Sequence, residues 1–372
     1  MALIPNFGRV QFGFGAIATL GDELAELGAK RPLIATERRM AELGFVDGAK
    51  RALRPGQEAT VLDTMPPQPT VAAAEAVAAA YKAGRCDCIV AIGGGIVIDA
   101  CKAGAILSGN PSPLQQYSGH PERITGPVAP IIAIPTTAGT GSEVTRGAGI
   151  HPAPGQREFS AGGPKLLPKA AICDPELTLS LPPRITAGTG MDALGHCIEG
   201  FISPAENPVA EAIALDGIRR VVTYIERAVA DGNDREARWN MQMAATEGGM
   251  ALSKGLGSAH ALSITFSDSE LHHGALVTIA LPVVLRFVAG AVGDKLDRIA
   301  AAMRLGKGSD VPDAIARLNE RVGLPSSVRA LGYRKNDLDE LAAFATPHFF
   351  NRTSPRAPNQ AQYKEIIAEL MR

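Results

Sequence analysis

The chain has 372 residues, 46% hydrophobic and 20% charged, with Lys+Arg 37 against Asp+Glu 38. That describes a folded chain with a large core, long enough for two domains, and excludes a disordered one. The near-neutral balance leaves no charge excess for nucleic acid or an anionic membrane, so the expected partner is a small molecule.

The opening stretch MALIPNFGRVQF lacks the basic region and apolar run of a signal peptide, and no stretch reads as long enough to span a bilayer. Five scattered cysteines, an odd number, suit a reducing cytoplasm better than a disulfide framework. Cys86-Asp87-Cys88 has the wrong spacing for a zinc knuckle or a redox pair, and it is expected at the start of a buried strand.

Up to about residue 180, short apolar runs alternate with helical patterns, as in βαβ units over a parallel sheet. Arg9–Phe12 reads as a strand, Ile17–Leu27 as a helix, and Pro32–Thr36 as a second strand. A helix over Val46–Leu53 precedes a strand over Ala59–Asp63. Met65–Thr70, rich in proline, reads as a rigid extended connection, and Thr70 can cap the alanine-rich helix that runs to about Ala83. Cys88–Ile92 and Pro130–Ile134 are continuous apolar strands, buried on both faces as parallel strands are.

The first of these enters Gly93-Gly94-Gly95 and a helix over Val97–Leu107; the second enters Pro135-Thr-Thr-Ala-Gly-Thr-Gly-Ser-Glu143. After about Leu181 only amphipathic patterns follow: 187–201, 208–231, 234–252, 274–287, 294–303, 311–322, 338–345 and 359–371. The expectation is an α/β N-terminal domain (1–181) with a Rossmann-like parallel sheet, then an all-α C-terminal domain (182–372) packed closely against it across a cleft.

A strand leading through glycines into a helix can cradle phosphate, since glycine admits a close ligand and the helix N-terminus offers free N–H groups. Gly93, Gly94 and Gly95 fit, with Asp99 expected in the first helical turn; a plain tight turn fits equally well. Gly13-Phe-Gly-Ala-Ile-Ala18 also matches a dinucleotide fingerprint but reads as an ordinary turn. Glu37, after the second strand, could accept from an adenosine ribose and favour NAD, although Arg38 and Arg39 could reverse that. Thr136, Thr137, Thr140 and Ser142 concentrate hydroxyls at a strand's carboxyl end, where open sheets bind ligands; a loop capped by Ser142 is the plainer reading. Asp192 and His196 share one helix face, and His260, His272 and His273 lie in glycine-punctuated surroundings downstream. One carboxylate with three imidazoles suffices for a catalytic divalent metal.

Together these motifs resemble the iron-containing, or group III, alcohol dehydrogenases. The resemblance runs through Gly93-Gly-Gly-x-x-x-Asp99-x-x-Lys102, the 135–143 motif, Asp174-Pro-Glu-Leu177, Thr189-Gly-Met-Asp-Ala-Leu-Gly-His196, Lys254-Gly-Leu-Gly-Ser-Ala-His260, His273-Gly274 and Leu281-Pro282, fading at Ser354-Pro-Arg356. It implies the dehydroquinate synthase-like architecture of that family, with metal and nicotinamide meeting in the cleft. By position it implies Asp192, His196, His260 and His273 as ligands of Fe(II) or Zn(II). It assigns Glu37, Gly93, Gly94, Gly95, Asp99, Thr136, Thr137, Thr140, Ser142, Arg157 and Leu179 to the cofactor, NAD with NADP as the alternative.

Four positions depart from the family pattern. Ile96 stands where a serine is usual, Gln68 for asparagine, Arg157 for lysine, and Ile264 for a histidine assigned to proton relay, which leaves water, the ribose hydroxyls or His272, the candidate catalytic residue, to carry the proton. The wording of 166–179, 186–199 and 271–274 looks most like 4-hydroxybutyrate dehydrogenases, which interconvert that ω-hydroxy acid and succinic semialdehyde. An anionic substrate of this kind would want a cation, with Arg146, Arg157 and Lys254 as candidates. Other expectations are a different small aldehyde (phosphonate, lactaldehyde or plain alcohol type), a maleylacetate reductase, or a catalytically silent nucleotide-binding homologue. A homodimer is the expected assembly.

Overall fold

The computed structural model describes residues 4–66 and 68–372, so Met1–Leu3 of the opening stretch and Pro67 of the proline-rich connection lie outside the described residues. Contacts divide the chain into two units: Asn6–Thr137 with Ser142–Leu179, and Ser180–Arg372 with Ala138–Gly141.

The first unit carries strands β1 (Arg9–Phe12), β2 (Pro32–Thr36), β3 (Thr60–Leu62), β4 (Cys88–Gly93), β5 (Ile131–Pro135), β6 (Gly147–Ile150), β7 (Phe159–Gly162) and β8 (Ala170–Cys173). Its helices are α1 (Leu20–Glu26), α2 (Arg38–Glu42), α3 (Phe45–Arg51), α4 (Val71–Ala83) and α5 (Gly95–Gly109). Six strands form one parallel sheet in the order β1-β8-β5-β4-β2-β3, and β6 pairs antiparallel with β7. Because side chains alternate across a strand, the apolar runs of β2, β4 and β5 feed two cores. Leu33, Ile89, Ala91 and Ile131 pack with Val77, Val97 and Ala105 from α4 and α5. Ile34, Val90, Ile92 and Ile132 pack with Leu20, Leu24 and Val46 from α1 and α3.

Thr70 does cap α4, accepting from the Ala73 N–H. The Ile17–Leu27 helix divides into a 3-10 turn over Ala16–Thr19 and α1. The glycines before it make a turn with positive φ at Gly13 and Gly15, and the Asp174 carboxylate accepts the N–H groups of Gly15 and Ile17 at 3.0 and 3.1 Å. The amides that a phosphate would need are therefore taken, as the ordinary-turn reading expected.

The second unit is helical: α6 (Pro183–Ile202), α7 (Pro208–Ala230), α8 (Arg235–Ala251), α9 (Ser258–Thr265), α10 (His273–Val288), α11 (Lys295–Ala302), α12 (Val311–Arg321), α13 (Val328–Leu331), α14 (Leu338–Ala345) and α15 (Gln360–Leu370). Its axis is α6, buried continuously over Thr186–Ile202. Glycines let neighbours reach its backbone: the Gly190 Cα faces Met241 and Ile225, and that of Gly195 faces Val277. Arg238 on α8 ties down the start of α6, donating to Thr186 Oγ1 at 2.8 Å and to the Leu181 carbonyl at 3.2 Å. One element corrects the expectation about bilayer-spanning stretches. The segment His273–Ala291 is long and apolar enough by composition, yet 67% of it is buried inside the unit, as in a core helix.

Candidate metal and nucleotide sites

Asp192, His196 and Glu199 fall four and three residues apart on α6, one stripe along a buried helix. Glu199 spends its carboxylate on the start of α9. It accepts the N–H groups of Gly257, Ala259 and His260 at 3.1, 2.8 and 3.3 Å, which satisfies free amides of that helix terminus. The same carboxylate accepts the Nδ1–H of His260 at 2.6 Å. The sequence reading gave Glu199 no role, because its partners lie about sixty residues downstream.

This bond turns the opposite nitrogen of His260 toward Asp192, with Nε2 3.7 Å from Oδ1. His273 opens α10 with its Nε2 3.9 Å from the same oxygen. Ser263 donates to the His260 carbonyl at 2.9 Å, so its oxygen is left to accept from His273 Nδ1 at 3.4 Å. His196 gives its Nδ1–H to the Gly139 carbonyl at 3.4 Å, and its ring stacks on His260 with centroids 4.6 Å apart. Each of the three imidazoles thus commits Nδ1 as a donor, which leaves each Nε2 with a lone pair.

Ligand atoms of Asp192, His260 and His273 all lie within 4.8 Å of one another; His196 stands beside this trio, with its Nδ1 4.0 Å from the other Asp192 oxygen. Asp192 Oδ1 and His260 Nε2 are buried with no hydrogen-bond partner among the described residues. Two such orphans facing each other fit a divalent cation, since buried polar atoms are otherwise paired. Burial would raise the Asp192 carboxyl, but the surrounding imidazoles of His196, His260 and His273 hold it well below the usual carboxylate range. The His273 side chain keeps 38% exposure against 3% for Asp192 and 1% for His260, so the centre opens on the His273 side.

His272 takes the N-cap position of α10, its ring filling the space over Gly188; its Nδ1 is buried without a partner among the described residues. Burial pushes its imidazole down, with Asp192 opposing and Arg184 adding to the effect. Ile264 is buried in α9. Lys254, expected as a substrate cation, is buried in an ion pair with Glu211 at 2.6 Å, and its charge is thereby spent on the packing of α7. Not anticipated is an aromatic turn at 348–350: Phe350 lies edge-on to His260, centroids 6.2 Å apart, and His348 stacks on Phe349.

In the sheet unit, β2 and β4 are neighbours whose connections leave in opposite directions, β2 toward β3 and β4 toward β5. Open sheets bind ligands at such a switch, outside the carboxyl ends. Glu37 follows β2 there, half-buried, and burial raises its carboxyl. Gly93 ends β4, and a Cβ on it would strike Val97 at 2.6 Å; one on Gly94 would press Thr137 at 3.2 Å. Thr136 is buried and donates its N–H to the Gly93 carbonyl at 3.0 Å.

Asp99 lies beyond the first turn of α5, not within it as expected. Its carboxylate accepts from Ser142 and, at 2.9 Å, from the Gly149 N–H; buried Lys102 donates to Ser142 at 2.8 Å and to the Gly147 carbonyl at 2.8 Å. Asp99 and Ser142 thus anchor the 142–149 segment to α5. Thr140 lies in the segment that packs with the helical unit, Arg157 is half-buried just before β7, and Leu179 follows a 3-10 turn over Pro175–Thr178. Ile96 is 41% exposed in the first turn of α5, an apolar side chain beside the free amides.

Two family models account for nearly the whole chain: iron-containing alcohol dehydrogenase over residues 8–175, and the C-terminal part of the Fe-containing alcohol dehydrogenase family over 186–371. The chain belongs to the iron-containing alcohol dehydrogenase family. It is 41% identical to a 4-hydroxybutyrate dehydrogenase of Cupriavidus necator, covering 100% of both chains. A solved 1,3-propanediol oxidoreductase superposes with a TM-score of 0.93 at 32% identity, covering 100% of this chain and 99% of that one. A sulfoacetaldehyde reductase from Bifidobacterium kashiwanohense, solved in complex with NAD+, gives 0.90 at 28%, covering 100% and 98%. This iron-containing alcohol dehydrogenase is therefore an oxidoreductase of alcohols and aldehydes, with a divalent metal and NAD implied by its family.

Proposed function

We propose that this alcohol dehydrogenase interconverts a short ω-hydroxy acid and its semialdehyde, with 4-hydroxybutyrate and succinic semialdehyde as the pair. The observation that carries the metal-dependent half is the gathering of Asp192 Oδ1, His260 Nε2 and His273 Nε2, with the first two buried and without a partner among the described residues. The substrate rests on the full-length relative acting on 4-hydroxybutyrate.

Asp192, His260 and His273 would hold the metal, with His196 completing the set, and a divalent cation there supplies Lewis acidity to a substrate oxygen. Nicotinamide is the hydride partner. What the chain itself does is to fix the donors: Glu199 and Ser263 hold two imidazoles in one tautomer and one orientation. The buried walls around Asp192 and His260 exclude water from the carboxylate, which strengthens every charge interaction there. Glu37 beside Gly93, supported by the NAD+ complex of a related reductase, favours NAD over NADP. The five cysteines are buried and none is joined in a disulfide among the described residues, which supports a cytoplasmic setting.

The test is the reduced-nicotinamide absorbance with Fe(II)- or Zn(II)-loaded protein, NAD or NADP, and a panel of ω-hydroxy acids, diols and plain alcohols. The expected result is the highest kcat/KM on 4-hydroxybutyrate with NAD. Better turnover of plain alcohols overturns the substrate, and no turnover at all favours the silent homologue. Elemental analysis of protein purified without oxygen identifies the metal.

A further inference from the structure

With Lys254 engaged by Glu211, a substrate carboxylate needs another donor in the helical unit. The turn after α14 holds one. His348 precedes a 3-10 turn over Phe349–Thr353, and its Nδ1 accepts the Phe350 N–H at 3.4 Å. A neutral imidazole that accepts at Nδ1 carries its proton on Nε2, so the ring presents an N–H donor. That donor has no partner among the described residues.

The turn is rigidly placed relative to the metal donors. Thr353 Oγ1 donates to the Leu256 carbonyl at 2.6 Å, Ser258 contacts Asn351 and Ser354 at 3.3 and 3.1 Å, and Tyr363 donates to Asn351. The Thr353 and Ser258 bonds fasten it to the segment that leads into α9 and His260, and the Tyr363 bond fastens it to α15. Phe350 neighbours both histidines, its centroid 6.2 Å from His260 and 4.8 Å from His348. Burial pushes the His348 imidazole down to about 4, so it is neutral in ordinary buffers. Phe349, 44% exposed, extends the same apolar wall toward solvent.

We propose that His348 recognises the far carboxylate of an ω-hydroxy acid through its Nε2–H, while Phe350 lines the methylene chain between that carboxylate and the Asp192–His260–His273 centre. A four-carbon hydroxy acid spans roughly 6 Å from hydroxyl to carboxylate, and a hydrogen bond of about 2.9 Å at its far end extends that reach toward His348. An aromatic wall suits methylenes and a single fixed donor orients the charged end, the usual division of labour in small-molecule sites. The inference rests on the anionic substrate proposed above.

The test compares kcat and KM for 4-hydroxybutyrate and 1-butanol in the wild type, H348F, H348A and H348Q, with melting curves for each. H348F and H348A are expected to lose about tenfold more kcat/KM on 4-hydroxybutyrate than on 1-butanol, mainly through KM. H348Q, which keeps an N–H donor, recovers part of the loss. Equal losses on both substrates overturn the assignment, as does a carboxylate preference that survives H348F and H348A. A wild type that prefers 1-butanol overturns the anionic substrate itself, and this inference falls with it.

Discussion

The Nδ1–H of His260 donates to Glu199 Oε2 at 2.6 Å, and that same carboxylate caps the helix on which His260 sits. One side chain therefore fixes the position of α9 and the tautomer of its histidine. E199A should lower metal affinity about 10- to 100-fold, the usual cost of losing an orienting partner. Metal content after dialysis against a graded chelator measures this. Unchanged retention would show that packing alone orients His260.

Metal removal should destabilise the helical unit. Asp192 Oδ1 and His260 Nε2 are buried without partners, so a cation binding there prefers the folded state. Free Fe(II) or Zn(II) at a hundred times Kd should add about 2.7 kcal/mol, read as a rise in Tm that a chelator reverses. D192N should abolish the rise. A chelator-insensitive Tm in the loaded wild type would speak against metal at these residues.

The architecture was legible where burial is two-sided. β2 and β4 print as unbroken apolar runs because helices cover both sheet faces, and Pro32–Thr36 matched residue for residue. The β6–β7 hairpin, β8 and α9 were not read. The strands are four residues each, and α9 has eight residues buried all round, so neither leaves a period to detect. Of the site, Asp192 and His196 show a helical spacing, whereas His260 and His273 were chosen by motif. Glu199, Ser263 and His348 act through contacts far along the chain or through ring orientation, which no local pattern encodes.

Gly274 and Gly188 bring α10 and α6 into backbone contact at the metal centre. A Cβ on Gly274 would strike the Gly188 carbonyl and approach the Asp192 Cβ to 2.8 Å. G274A should therefore push His273 away from Asp192, costing about 1–3 kcal/mol of stability as overpacking does. It should also weaken metal retention. Gly290 has nothing within 4 Å of a built Cβ, so G290A should stay within about 0.5 kcal/mol. Urea denaturation and metal content of the two variants decide it; equal behaviour would show that the helices can separate without loss.

A different group controls stability against pH. Glu247 on α8 lies 3.3 Å from Arg220; burial, despite Arg220 and helped by Asp216, pushes its carboxyl up to about 8. A carboxyl raised from an ordinary 4.5 binds its proton more tightly in the folded chain than in the unfolded one. Its contribution is fully present below pH 4.5 and is lost as pH rises through 8. E247Q cannot ionise and should lack that loss. The stability difference between E247Q and the wild type should shift in favour of E247Q by on the order of 1–2 kcal/mol from pH 5 to pH 9. Urea midpoints at pH 5, 7 and 9 measure it, and parallel curves for the two proteins would place the folded-state titration of Glu247 in the ordinary carboxylate range.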